Sequence, residues 1–107
     1  MPVRVVQASA VSAPATFATV PLNVHNDGSQ EVQWQFTKSG NGTFTAVVEY
    51  TIDDVFDADV SAAFITESTP AAASAATMTH PATGIRLRMS AASGNNQIGF
   101  RVLQTGI

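Results

Sequence analysis

Apolar and polar residues alternate most regularly in the middle of the chain. In "EVQWQFTKSGNGTFTAVVEYTID", Val32, Trp34 and Phe36 alternate with Gln33, Gln35 and Thr37. After the break at "SGNGT", Phe44, Ala46, Val48, Tyr50 and Ile52 alternate with Thr43, Thr45, Val47, Glu49 and Thr51. Period-two spacing on both sides of an Asn-Gly step predicts a β-hairpin with one apolar face. A second pair is predicted at the end of the sequence. There Ile85, Leu87 and Met89 share a face opposite Arg86, Arg88 and Ser90, and Ile98, Phe100 and Val102 alternate after "ASGNN". The turn residues Ser93, Gly94, Asn95 and Asn96 tolerate a tight bend.

Weaker patterns predict strands over Val3–Ala8, Thr16–Val24 and Val60–Thr66. Residues 68–83, "STPAAASAATMTHPAT", read as a low-complexity loop with one short strand near Ala75–Thr79. Many short strands, turn signals between them and no amphipathic helix predict an antiparallel β-sandwich of about seven to eight strands, jelly-roll or Ig-like. The expected core is Trp34, Phe36, Phe44, Val48, Tyr50, Ile52, Phe64, Ile85, Leu87, Ile98, Phe100 and Val102. Trp34 and Tyr50 are expected to contribute most, each with its polar tip near an edge.

Composition narrows the function classes. The 107 residues are 45% hydrophobic and fit one domain over 1–107, with residues 1–15 read as an extended arm. A chain of this size buries roughly 60–70% of its unfolded surface, enough for a core. There is no cysteine, hence neither a disulfide framework nor a thiolate metal site. "MPVRVVQASA" lacks a signal-peptide pattern and no apolar run reaches a membrane span, so the expectation is synthesis in a cytoplasm with no membrane partner. Only 12% of residues are charged, and five Lys+Arg against eight Asp+Glu give a net charge of -3. Nucleic-acid binding needs a clustered basic footprint, which five scattered cations do not supply. A charge-poor surface rich in Ala, Thr and Ser fits a protein covered by neighbours.

Candidate chemistry concentrates in "EYTIDDVFDAD", with Asp53, Asp54, Asp57 and Asp59. Calcium takes six to eight oxygens, usually around a glycine bend with a distal bidentate acid. This stretch has no such glycine, and Val55 and Phe56 interrupt it. A turn whose acids bond nearby backbone fits better than a weak metal site or a paired-carboxylate hydrolase. His25 and His80 have no neighbours at ligand spacing, and no serine sits in a nucleophile-elbow context. A carbohydrate-binding module needs exposed aromatics, and the lone Trp and Tyr fall on faces read as buried. No cofactor and no small-molecule substrate are expected. Arg86 and Arg88 share one face, and Arg101 is expected to join them across the second hairpin, either as an exposed strand face or as a contact surface.

The second half also resembles a known group. "AVVEYTIDDVFD", "AAFITES", "PATGIRLRMSAASG" and "VLQTGI" resemble small virion proteins of tailed bacteriophages over roughly residues 46–107. That family usually has tryptophan in the aromatic segment after the Asp-Asp step, where this chain has Phe56 and Phe64. The resemblance implies a structural part of the particle with no reaction. The expectation is a capsid decoration (cement) protein on the shell exterior, bound to the major capsid protein and to copies of itself, by analogy as a homotrimer. A tail or head–tail connector component is the alternative. Arg86, Arg88 and Arg101, with Val3, Arg4 and Val5 of the arm, are the expected contact residues.

Overall fold

A computed structural model describes residues 3–22, 31–56, 61–78 and 82–105. All its regular elements are strands: β1 (Val3–Ala10), β2 (Ala15–Thr16), β3 (Val20–Pro21), β4 (Glu31–Ser39), β5 (Thr43–Thr51), β6 (Ile65–Ser68), β7 (Ser74–Met78), β8 (Gly84–Ser93) and β9 (Gln97–Thr105). One sheet, here sheet A, has the order β1-β9-β4-β7; sheet B has the order β2-β8-β5-β6, with β3 also on β8. Every pairing is antiparallel. The alternating strands place one face of each sheet against the other, with polar residues outside, which makes a sandwich.

The sandwich is a jelly roll. The chain runs out along β1 to β4/β5 and back along β6 to β9. β1 pairs β9, β2 and β3 pair β8, β4 pairs β7, and β5 pairs β6. Rolling up that long antiparallel ribbon brings β4 onto β9 and β5 onto β8. β2 and β3 pair successive parts of β8 and together occupy one strand position.

This topology corrects the two predicted hairpins. β4 and β5 lie in different sheets, as do β8 and β9. Each short connection is therefore an arch that crosses the sandwich. The alternating pattern is the same in either case, because a strand that crosses the core still buries its apolar face. A two-residue type I′ hairpin needs positive φ at two successive residues. Here Gly40 (φ 94°) and Gly94 (φ 79°) are positive, and no described non-glycine residue is. The two arches stack at one end of the molecule. Gly42 N–H donates to Asn95 O at 2.9 Å, and Thr43 Oγ1 and Ser93 Oγ are 2.8 Å apart. Buried Asn96 holds them from within, its Nδ2 donating to Val11 O (3.1 Å), Thr43 O (3.1 Å) and Ser93 O (3.2 Å).

Between the sheets, Trp34, Phe36 and Phe100 are fully covered, and Phe36 is the cross-strand partner of Phe100. Each such side chain contributes roughly 1.5–3 kcal/mol by leaving water. Val48, Ile85, Leu87, Ile98 and Val102 are buried as expected, and Val11, Val20, Leu22, Val32, Met78 and Met89 join them. Four expectations change. Phe44 and Tyr50 are half-buried, packed against the core rather than within it. Trp34 is wholly inside, and its Nε1 has no hydrogen-bond partner. Ile52 is 69% exposed because β5 ends at Thr51 and the chain leaves the sheet there. Phe64 is half-buried on the outer side of sheet B, under an arginine.

The weaker strands also shift. The arm expected over residues 1–15 contains β1, an eight-residue strand in unbroken register with β9. The single strand expected over Thr16–Val24 is the interrupted pair β2 and β3, and the one expected at Val60–Thr66 is β6 at Ile65–Ser68. The loop 68–83 contains β7, close to the short strand expected there.

Candidate binding surfaces

The acidic stretch follows β5. Asp53 N–H donates to Thr51 Oγ1 (3.1 Å), and Asp53 Oδ2 accepts from Ala63 N–H (2.7 Å), closing the connection between β5 and β6. Asp54 Oδ1 accepts from Phe56 N–H (2.9 Å), an Asx turn. Thr83 ties the far side, with its N–H on Thr51 O (2.8 Å) and its hydroxyl on Thr51 O and Asp53 O. Val55 comes down on Gly84 closely enough that a Cβ there would lie 2.9 Å from Val55 Cγ1. Asp53 and Asp54 thus act on backbone donors, and no group of three metal-ligating side chains occurs among the described residues. Asp57 and Asp59 lie outside the described residues, as do His25 and His80.

The outer face of sheet B carries Arg86 and Arg88. Sequence reasoning missed their partner, Glu49, which is only 6% exposed although it sits on the polar side of β5. The register makes Glu49 and Arg86 a cross-strand pair and places Arg88 two residues further along β8 on the same face, opposite Val47. Glu49 Oε1 accepts from Arg86 Nε at 2.9 Å and lies 3.2 Å from Arg88 Nε. The Arg86 guanidinium lies 3.6 Å above the centre of the Phe64 ring, a close cation–π stack. Burial works to raise the Glu49 carboxyl, but hydrogen bonds and charge from Arg88 and Arg86 outweigh it and hold the group below the ordinary glutamate range. The result is an internally satisfied cluster.

Arg101 does not join that strip. β9 belongs to sheet A, so Arg101 stands on the opposite outer face, with Nη1 3.5 Å from Gln35 Oε1. Arg4 pairs with Leu103, and Val6 pairs with Arg101. Gln33 and Gln35 continue the two rows onto β4, opposite Leu103 and Arg101. Together these residues line a shallow groove of about 260 Å³ on sheet A. Val6 is 54% exposed and Leu103 38% exposed. The groove therefore combines two cations, two flat amides and two exposed large apolar side chains, and no carboxylate lines it. Of the other expected contact residues, Val5 is half-buried and pairs with Val102, and the backbone of Val3 pairs with Gln104.

No family model matches the chain, and no curated protein matches it. Among solved structures, the chain is similar to one described by the words "Bacillus endospore appendages form a novel family of disulfide-linked pili". Identity is 13% and the TM-score 0.37, over 100% of this chain and 91% of that one. A likeness at that level assigns neither family nor function.

Proposed function

We propose that the protein is a structural component of a tailed-phage particle, a capsid decoration protein that binds the shell exterior and performs no reaction. The observation that carries this reading is the outer face of sheet A. A groove on it is lined by Arg4 and Arg101, the amides of Gln33 and Gln35, and exposed Val6 and Leu103, with no acid among its lining residues. Protein interfaces favour arginine over lysine and are depleted in acids. A planar guanidinium can bind a shell carboxylate through two hydrogen bonds at once.

Three further points support the reading. The resemblance of residues 46–107 to small virion proteins points the same way. Jelly rolls recur in viral capsids, though also in lectins and cupins, so this support is fold-level analogy. The net charge of -3 disfavours a position against packaged DNA.

The reading revises the expected contacts. Arg4 and Arg101 take the shell-binding role, whereas Arg86 and Arg88 are engaged by Glu49. Mass spectrometry of purified particles tests the position in the virion. Hundreds of copies per particle support shell decoration; about a dozen or fewer place the protein at the tail or connector and sink it. Arg4→Glu with Arg101→Glu should abolish co-sedimentation with shells lacking the native protein while leaving the fold intact.

A further inference from the structure

The four sheet edges are built unequally. β2 and β3 are two residues each, with Pro14 just before one and Pro21 inside the other. β6 has four residues, and its register on β5 skips Glu67, leaving a bulge with an acid at it. β7 has five residues. Brevity, proline, bulges and charge are the devices that stop a sheet edge from pairing with another chain. β1 has only the last of them, and that once. It runs for eight residues in continuous register, without proline, lysine or bulge, and Arg4 is its one charged residue.

The free side of β1 can be read from its paired side. Val11 N–H donates to Asn96 O, which continues the β1–β9 register by one residue. Hydrogen-bonded pairs alternate along an antiparallel ladder. Val5, Gln7 and Ser9 therefore bond β9, while the peptide groups of Arg4, Val6, Ala8 and Ala10 point away from it. Among the described residues no strand pairs with that side, and an open hollow of about 720 Å³ separates β1 from the 11–18 segment.

We propose that the β1 edge is a homodimer interface, with β1 of a second copy added antiparallel about a two-fold axis at Gln7. Several observations select a second copy as the occupant. No other described edge of this chain matches β1 in length, so only β1 itself offers eight residues to pair. Outward-facing side chains must meet outward-facing ones, which restricts the register to even sums of residue numbers. With the axis at Gln7, Arg4 opposes Ala10 and Val6 opposes Ala8, and all four outward peptide groups of each copy are engaged. The two Arg4 side chains then stand roughly 20 Å apart along the strands, beyond the screening length at physiological salt. Gln7 itself carries an unmet need: its Nε2 donates to Ala18 O at 2.9 Å, while its Oε1 is buried without a partner. Across the axis, Gln7 meets Gln7 of the second copy, and a turn of each amide out of its buried position lets the two exchange hydrogen bonds.

Edge pairing of one strand with itself gives a dimer in place of the expected closed trimer. It rests on β1 and Gln7 and is independent of the virion reading, because it is tested on the isolated protein.

The full chain is examined by analytical ultracentrifugation across the micromolar to millimolar range. The expected species has twice the 11.2 kDa chain mass. Ala8→Pro removes one outward N–H and leaves the β9 ladder untouched, so dimerisation should weaken at least about tenfold with circular dichroism unchanged. Gln7→Cys gives a second route that does not depend on that variant folding. The chain has no cysteine, and directly opposed positions that are not hydrogen-bonded lie at disulfide distance. Mild oxidation should link Gln7→Cys into dimers, while Thr77→Cys on β7 stays monomeric. A monomer throughout, a trimer, a dimer indifferent to Ala8→Pro, or failure of Gln7→Cys to link overturns the proposal.

Discussion

On sheet B, Arg86 and Arg88 both turn their Nε groups onto Glu49 Oε1, and Arg86 also covers Phe64. On sheet A, Arg101 reaches only a long contact with Gln35, and Arg4 stands beside exposed Val6 and Leu103. The two faces are cut from the same alternating pattern and carry the same cation. They differ in whether a carboxylate lies against the guanidinium groups: Glu31 shares the outer face of sheet A, opposite Thr105, but does not line the groove that holds Arg4 and Arg101. With Glu49 present, the guanidinium groups cross-link β5 and β8 and shield half-buried apolar surface, so their work is internal. Without an acid in the groove, the same groups remain available to something outside the molecule. An arginine in a strand is therefore not by itself a contact residue; its cross-strand neighbour decides.

The largest expected effect breaks the sheet B cluster. Glu49→Ala removes the acid and leaves two cations side by side on a mostly covered face, at a cost of about 2–4 kcal/mol. Urea denaturation measures it, and a loss below 1 kcal/mol would mean that the cluster is ornamental.

Acid tests the same contact without mutation. Glu49 is held below its ordinary value of 4.5 in the folded state, so the unfolded chain takes up this proton more readily. The stability it contributes is complete above that ordinary value and is lost as pH falls through the lower folded one. Urea midpoints should decline over that acid range, and in Glu49→Gln this part of the decline should vanish.

Phe64→Ala comes next, at about 1–2 kcal/mol, from a half-buried ring and a cation–π contact. If that loss persists unchanged in an Arg86→Met background, the stack contributes nothing beyond packing.

On sheet A, Arg101→Ala should alter stability by no more than about 0.5 kcal/mol, since its contacts are exposed. A loss comparable to that of Glu49→Ala would erase the contrast between the faces. Smallest of all is the response to calcium. Asp53 and Asp54 already serve backbone N–H groups, so millimolar calcium or chelator should leave the melting temperature unchanged.

Much of the fold was legible in the sequence. Alternation at Val32, Trp34 and Phe36, and again at Ile85, Leu87 and Met89, fixed which side of each strand faces the core, because burial has only two directions in a strand. Gly40 and Gly94 marked where the chain bends. The all-β class, the short strands and the turn role of Asp53 and Asp54 follow from local chemistry that acts over a few residues.

Pairing was decided elsewhere. Whether Gly40–Gly42 joins neighbours in one sheet or crosses between two depends on where β8 and β9 lie, and local alternation is blind to that. The consequences reach every candidate contact. Glu49 meets Arg86 across 37 positions of sequence because β5 pairs with β8. Arg101 is parted from Arg86 and Arg88 because β9 pairs with β1 and β4. Ile52 lost its place in the core because the ladder stopped one residue earlier, at Thr51. The sequence by itself determined the faces, since a side chain's preference for water or core is its own property. Only the tertiary structure decided the neighbours, since a cross-strand partner is set by long-range register.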